Sequence, residues 1–229
     1  DDDSFSYCKA ITKVVMPDTV KVISYWAFNW TKNLTEINIS KNCEAIYQFA
    51  FANTSLKEIS IPATTTNIMN SAFGMGCFLE KITVDPNNPI YYVKDGILRS
   101  DTVLNKYIYG RAESSYSIPE GIKSIGQYAF ENATNLKSIT LPNSLESIWP
   151  GAFQGCTGLT HVTIPEGTTT IMDYAFGNCD MLASIIIPES VTTIDVQLFL
   201  DNDGCTIYGT ENSVAHQYAI SNNINFKTI

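Results

Sequence analysis

At 229 residues the chain is long enough for one large domain or two small ones, and its 45% hydrophobic content is that of a folded protein. The formal net charge of −9, with Lys and Arg scattered singly, argues against a nucleic-acid partner and against an anionic membrane surface. Charged residues are only 16%, and Ser, Thr and Asn fill much of the polar share, a balance that favours short strands and polar turns over long helices.

No run approaches the roughly 18 apolar residues that a membrane helix needs, so no direct membrane insertion is expected. No signal peptide is expected in this chain, where a removed secretion signal would leave no trace, and the opening Asp1-Asp2-Asp3 is read as a solvated terminus. From there it is organised by a repeat. Ala-Phe recurs at Ala27-Phe28, Ala50-Phe51, Ala72-Phe73, Ala129-Phe130, Ala152-Phe153 and Ala175-Phe176, and Leu198-Phe199 continues the series. Successive Phe residues are 23, 22, 57, 23, 23 and 23 apart. Aligned on them, the unit reads L-x-x-I-x-I-P-x-x-V-x-x-I-x-x-x-A-F-x-x-C-x-x.

In chain order, residues 4–10 (SFSYCKA) match the tail of a unit, with Phe5 and Cys8 in the Phe and Cys places. The array therefore starts mid-coil, either as a native cap or as part of a longer array. Three coils fill 11–78. Leu79 opens a partial coil that runs into an insert ending at residue 112. Four coils fill 113–204, and 205–229 forms a C-terminal cap. About eight coils in all are expected to form a single domain over residues 1–229.

Twenty-odd residues cannot bury an apolar face alone, and stacked copies bury one continuous core. In L-x-x-I-x-I the apolar residues alternate, the pattern of a half-buried strand: Ile139 and Leu141 point in, Ser138 and Thr140 out. Pro142 ends that strand because it has no N–H for the ladder. Leu145-Glu146-Ser147-Ile148 reads as a second short strand. The x-x-x-A-F stretch reads as one helical or 3₁₀ turn, with its Phe buried. The insert, with Tyr91, Tyr92, Tyr107 and Tyr109, reads as a hairpin-like excursion. The fold class is a β-rich α/β solenoid, a right-handed superhelix with parallel strands and about 23 residues per coil.

The unit resembles the BspA-like leucine-rich repeats (LRR_5 type) of bacterial surface proteins, also found in some parasitic protists. The likeness covers residues 4–204. The Asn87-Asn88-Pro89 turn, the following aromatic strand and Asp95-Gly96 look like a feature of the same family, and the tail TIYGTENSVAHQYAISNNINF resembles the C-terminal cap of such proteins from gut Firmicutes. Ser40 departs from the pattern in the Pro place. The resemblance implies a secreted or wall-anchored protein that binds host macromolecules, glycans or cells. It implies no activity.

The residues offer little to catalysis or metal binding. Cys8, Cys43, Cys77, Cys156, Cys179 and Cys205 include no C-x-x-C pair, against a zinc site. Cys156 and Cys179 fall in one place of adjacent coils, where free buried thiols are expected and a disulfide is geometrically conceivable. Of the two histidines, His161 lies on an outward strand position between Ser138 and Ser184, without an acid to orient it, and His216 falls in an apparent terminal helix. Asp201, Asn202, Asp203 and Gly204 look like part of a calcium loop but lack its remaining ligands. No catalytic residue, cofactor or metal is expected.

The surface feature that stands out is aromatic. Tyr25, Trp26, Trp30, Tyr47, Phe49, Tyr128, Trp149 and Tyr174 flank the Ala-Phe places and are candidate ligand contacts if they face outward; the alternative is that many fold back over coil edges. The strand face is polar and fine-grained. The expected function is a monomeric, non-catalytic, secreted or cell-surface adhesion module for an extracellular protein or glycan. A structural spacer on the cell wall is the alternative. A glycan or peptide hydrolase would need convergent acids or a Ser–His–acid set.

Overall fold

The computed structural model describes residues 1–199 and 204–229, so the acidic stretch at 201–203 lies outside the described residues. The chain divides into two compact units, Asp1–Tyr109 and Gly110–Ile229. Both are stacks of coils built from parallel strands one repeat apart. Among the described residues a single α-helix occurs, so the helical share of the expected α/β class is confined to one end.

The first unit contains β1 (Lys13–Val15), β2 (Val22–Ile23), β3 (Glu36–Asn38), β4 (Ala45–Ile46), β5 (Glu58–Ile61), β6 (Asn67–Ile68), β7 (Lys81–Val84), β8 (Tyr92–Lys94), β9 (Ile97–Arg99) and β10 (Val103–Tyr107). Strands pair with their copies in the adjacent coil: β1 with β3, β5 with β7, and β4 with both β2 and β6, all parallel. The register is the sequence repeat itself, with Lys13 beside Glu36 and Ile59 beside Ile82. The insert is a three-stranded antiparallel meander, β8–β9–β10. Its first turn is Asp95-Gly96 with both φ positive (50° and 68°), the geometry that favours Asp-Gly between two strands.

The second unit contains β11 (Ser115–Ser117), β12 (Ser124–Ile125), β13 (Ser138–Thr140), β14 (Ser147–Ile148), β15 (His161–Thr163), β16 (Thr170–Ile171), β17 (Ser184–Ile186), β18 (Thr193–Ile194), β19 (Thr206–Gly209), α1 (Val214–Ser221) and β20 (Asn225–Thr228). The long strands form one parallel series from β11 through β19 to β20, and β12, β14, β16 and β18 form a second. Ser213 caps α1 by accepting a hydrogen bond from the His216 backbone N–H. His216 packs on Phe226, with ring centroids 4.4 Å apart.

The recurrent Phe residues enter the interior. Phe51, Phe130, Phe153 and Phe176 have no accessible surface. They stack coil upon coil: Phe5–Phe28–Phe51–Phe73 at 5.3, 5.7 and 5.8 Å in the first unit, and Phe130–Phe153–Phe176 at 5.0 and 5.2 Å in the second. Leu34, Leu56, Leu79, Leu145 and Leu159, together with the inward isoleucines, fill the space around them.

The segment leading into Ala-Phe is not the helical or 3₁₀ turn that the sequence led us to expect. It is a run of β-turns, in which the backbone enters the left-handed region just before Ala-Phe and again four residues on. These pairs are Trp26 and Trp30, Phe49 and Asn53, Tyr128 and Asn132, Gly151 and Gly155, and Tyr174 and Asn178. The reason is the neighbouring coil. Amides of alternate residues close turns within the coil, as in Ala27 N–H to Ser24 O and Asn29 N–H to Trp26 O. The intervening amides donate to the next coil: Trp26 to Gln48 O, Phe28 to Ala50 O and Trp30 to Ala52 O, at 3.1, 2.8 and 3.0 Å. A helix would turn all of these N–H groups inward along its own axis and leave the next coil's carbonyls unpaired. Inter-coil bonds thus offset a left-handed backbone that costs a bulky residue roughly 1–2 kcal/mol. The coil with Ala72-Phe73 is one residue shorter and lacks the first left-handed position, its left-handed residues being Met75 and Gly76.

The six cysteines are free thiols. Cys156 and Cys179 are fully buried and donate to Phe130 O and Phe153 O, each at 3.2 Å. Burial pushes the Cys179 and Cys205 thiols up to about 12 and Cys156 well above its ordinary value. A thiol that holds its proton more tightly folded than unfolded stabilises the fold at neutral pH, and that contribution is lost as pH rises from the unfolded value near 9 towards 12. Urea midpoints measured under reducing conditions should therefore fall between pH 9 and 12, and Cys179→Ala with Cys205→Ala should flatten that fall.

Candidate binding surface

The turn geometry decides which aromatics reach solvent. The left-handed position after Ala-Phe directs its side chain away from the core, and there Trp30 is 37% exposed. Tyr7 occupies the same place one coil earlier and is 61% exposed, its ring stacked on Trp30 at 6.0 Å. Lys32 places its ammonium 4.3 Å from the Trp30 ring centroid. With the Asn53 amide oriented by its hydrogen bonds, Asn53 Oδ1 accepts from Trp30 Nε1 at 3.1 Å and the amide nitrogen donates to Met75 O. Trp30 is therefore held in place by Tyr7, Lys32 and Asn53 while over a third of its surface stays exposed. Tyr7 was missed in the sequence. The signal was there, since Tyr7 stands two residues after Phe5 as Trp30 does after Phe28.

Beside this pair, Trp26 stacks on Phe49 at 4.2 Å and Tyr25 leans on Tyr47 at 4.9 Å. Phe49 is buried at 9% exposure, and Tyr25, Trp26 and Tyr47 are half-buried. The structure thus brings five of the eight sequence candidates, Tyr25, Trp26, Trp30, Tyr47 and Phe49, together with Tyr7 on the turns of the first unit. The remaining three lie in the second unit and are half-buried. Tyr128 lies across Gly151, so closely that a Cβ there would sit 2.4 Å from the ring. Trp149 donates Nε1–H to Ser147 Oγ at 3.0 Å, and the Tyr174 hydroxyl donates to Gln197 Oε1. Burial raises the Tyr128 hydroxyl above its ordinary value.

The opposite, strand face is self-satisfied. In the first unit Lys13 pairs with Glu36 at 2.7 Å and Lys81 with Glu58 at 2.9 Å, across adjacent strands in register. Ser60 and Thr83 share a hydrogen bond of 2.8 Å. Exposed pairs of this kind contribute little to stability, but they leave few uncommitted charges for a ligand. In the second unit His161 stands between Ser138 and Ser184, as its place in the repeat requires. Among the described residues no group of three or more His, Cys, Asp or Glu side chains converges as a metal site. Among them, too, no helix is long and apolar enough to cross a membrane.

A stack of 23-residue parallel coils with outward turns and a polar strand face defines a leucine-rich repeat solenoid. The chain belongs to the BspA-type leucine-rich repeat family, whose model matches residues 1–110 and 101–227 in 6 copies. Among solved structures it is similar to a leucine-rich cell surface protein from Faecalibacterium prausnitzii, at 29% identity and a TM-score of 0.77, covering 95% of this chain and 64% of that one. It is also similar to a leucine-rich repeat protein from Eubacterium ventriosum, at 26% identity and a TM-score of 0.76, covering 91% and 63%. The pneumococcal vaccine antigen PcpA shares the fold at 19% identity, with a TM-score of 0.68 and coverage of 96% and 68%. This chain thus spans about two-thirds of the length of these proteins. No curated protein matches it.

Proposed function

We propose that this chain is a non-catalytic, monomeric binding module of a secreted or cell-surface protein, and that it recognises an extracellular protein or glycan through the aromatic turns of its first unit. The observation that carries this reading is the Tyr7–Trp30 pair, stacked and held by neighbouring groups yet open to solvent. Ordered, exposed aromatics lose little side-chain freedom on binding and supply large contact area, which is why Trp and Tyr dominate interface energetics. The family and the surface description of the Faecalibacterium relative support the location. Tyr25, Trp26, Tyr47 and the edge of Phe49 extend the surface, and Tyr128, Trp149 and Tyr174 offer a second, smaller set.

The alternative is a spacer that only displays other domains, favoured by the paired charges of the strand face. Screening the chain against a glycan array and immobilised extracellular-matrix proteins separates the two. The binding reading expects saturable signal on at least one array; silence on both supports the spacer.

A further inference from the structure

The first complete coil is covered over only part of the side that faces away from the second. Residues 1–10 align with 149–158, the last ten of the unit 136–158, and they stack as such a piece should. The Asp3, Phe5 and Tyr7 amides donate to Tyr25 O, Ala27 O and Asn29 O at 3.0, 2.8 and 2.8 Å, as the Gly151, Phe153 and Gly155 amides donate to Asp173 O, Ala175 O and Gly177 O. Under this half-coil Ile23 and Phe28 are buried. The strand places beside it are left uncovered. Ile11, Val14, Met16 and Val20 are half-buried, whereas Leu136, Ile139, Leu141 and Leu145 hold the same places in the unit 136–158 and are buried. Val22 is 39% exposed.

Among the described residues β1 pairs with β3 alone and β2 with β4 alone, so both are edge strands. Between them and the half-coil lies a groove of about 270 Å³, whose lining includes Asp1, Phe5, Val14, Met16, Val20 and Val22 and comes from the first unit only. The second unit ends differently. There β20 pairs with β19, the Tyr218 hydroxyl of α1 accepts from the Leu198 N–H at 3.1 Å, and Ile187, Val191 and Leu198 are buried.

We infer that this groove seats the strand half of a further leucine-rich coil, carried on polypeptide that leads into Asp1. Residues 1–10 fill ten of the 23 places of a unit, and the thirteen left over are the places of 136–148, which read L-x-x-I-x-L-P-x-x-L-x-x-I. Such a segment continues the inter-coil interface already present: it runs parallel to β1 and β2, as β2 runs parallel to β4, and its apolar side chains cover Ile11, Val14, Met16 and Val20. A solenoid end that leaves core places in water needs a covering coil, because each coil buries its apolar face only against a neighbour. A second copy of the chain fits less well, since a symmetric contact at this end sets two Asp1-Asp2-Asp3 runs against each other. The site is separate from the aromatic turns, because the segment covers strand places and leaves Tyr7 exposed.

The test joins a duplicate of residues 136–148 to Asp1 of the full chain and follows amide hydrogen exchange. Exchange at Val22 and Ser24, whose counterparts Ala45 and Tyr47 donate to Lys21 O and Ile23 O, should slow at least roughly tenfold. The thermal midpoint should rise by at least about 2 °C. A graft of the same thirteen residues in shuffled order should do neither. The free peptide 136–148, added to the unextended chain, should slow the same amides saturably, which keeps the test intact if the grafted chain does not fold. Equal exchange in the two grafts together with no effect of the peptide overturns the proposal, as does a concentration-dependent dimer of the unextended chain that protects these amides. Array binding through Tyr7 and Trp30 should be the same with and without the graft, so failure here and failure of the aromatic surface give different results.

Discussion

Phe153→Ala should lower the unfolding free energy by about 3–5 kcal/mol, a large share of the stability of an ordinary domain. Phe153 has no accessible surface and stacks between Phe130 and Phe176 at 5.0 and 5.2 Å, so its removal empties a site that two further coils line. Collapse into that space would draw both neighbours out of register with their inter-coil hydrogen bonds, from the Phe130 N–H to Ala152 O and from the Phe153 N–H to Ala175 O. Phe5 provides the control. It stacks on Phe28 but is 44% exposed, and Phe5→Ala should cost far less. Urea unfolding of the two variants checks the contrast, and equal midpoints would refute the interior role of the ladder.

The second large effect is steric. A Cβ at Gly158 would stand 2.5 Å from the Thr134 carbonyl oxygen and 3.2 Å from that of Leu136, both backbone atoms of the preceding coil. Neither can swing aside as a side chain does. Gly158→Ala should therefore push two coils apart and cost about 1–3 kcal/mol, the usual range for overpacking. At Gly204 an added Cβ meets nothing within 4 Å, and Gly204→Ala should leave the thermal midpoint unchanged. If the two alanine variants melt together, the coils are not as closely apposed at Gly158 as this geometry requires.

The parts of the fold that were legible in the sequence are those that repeat. Ser138 aligned with His161 and His161 with Ser184 by counting, and they are cross-strand neighbours in the structure. The buried Phe series, the paired short strands and the Asp95-Gly96 hairpin were readable for the same reason: each follows from local pattern or local turn chemistry. The conformation before Ala-Phe was not. Whether Trp26 adopts a helical or a left-handed backbone depends on the Gln48 carbonyl 22 residues away, and no local propensity carries that information. The aromatic surface was legible in composition but not in exposure. Phe49 and Trp30 both flank an Ala-Phe pair, yet Phe49 is covered by Trp26 while Trp30 stays open.

The most direct test of the account is to run the glycan and matrix-protein arrays with the wild-type chain beside one carrying Tyr7→Ser and Trp30→Ser, after confirming equal melting temperatures. Loss of a central interface aromatic commonly costs 2 kcal/mol or more, roughly thirtyfold in Kd. The account predicts that the features bound by the wild-type chain fade by at least that factor in the variant. Undiminished binding by an equally stable variant would contradict it.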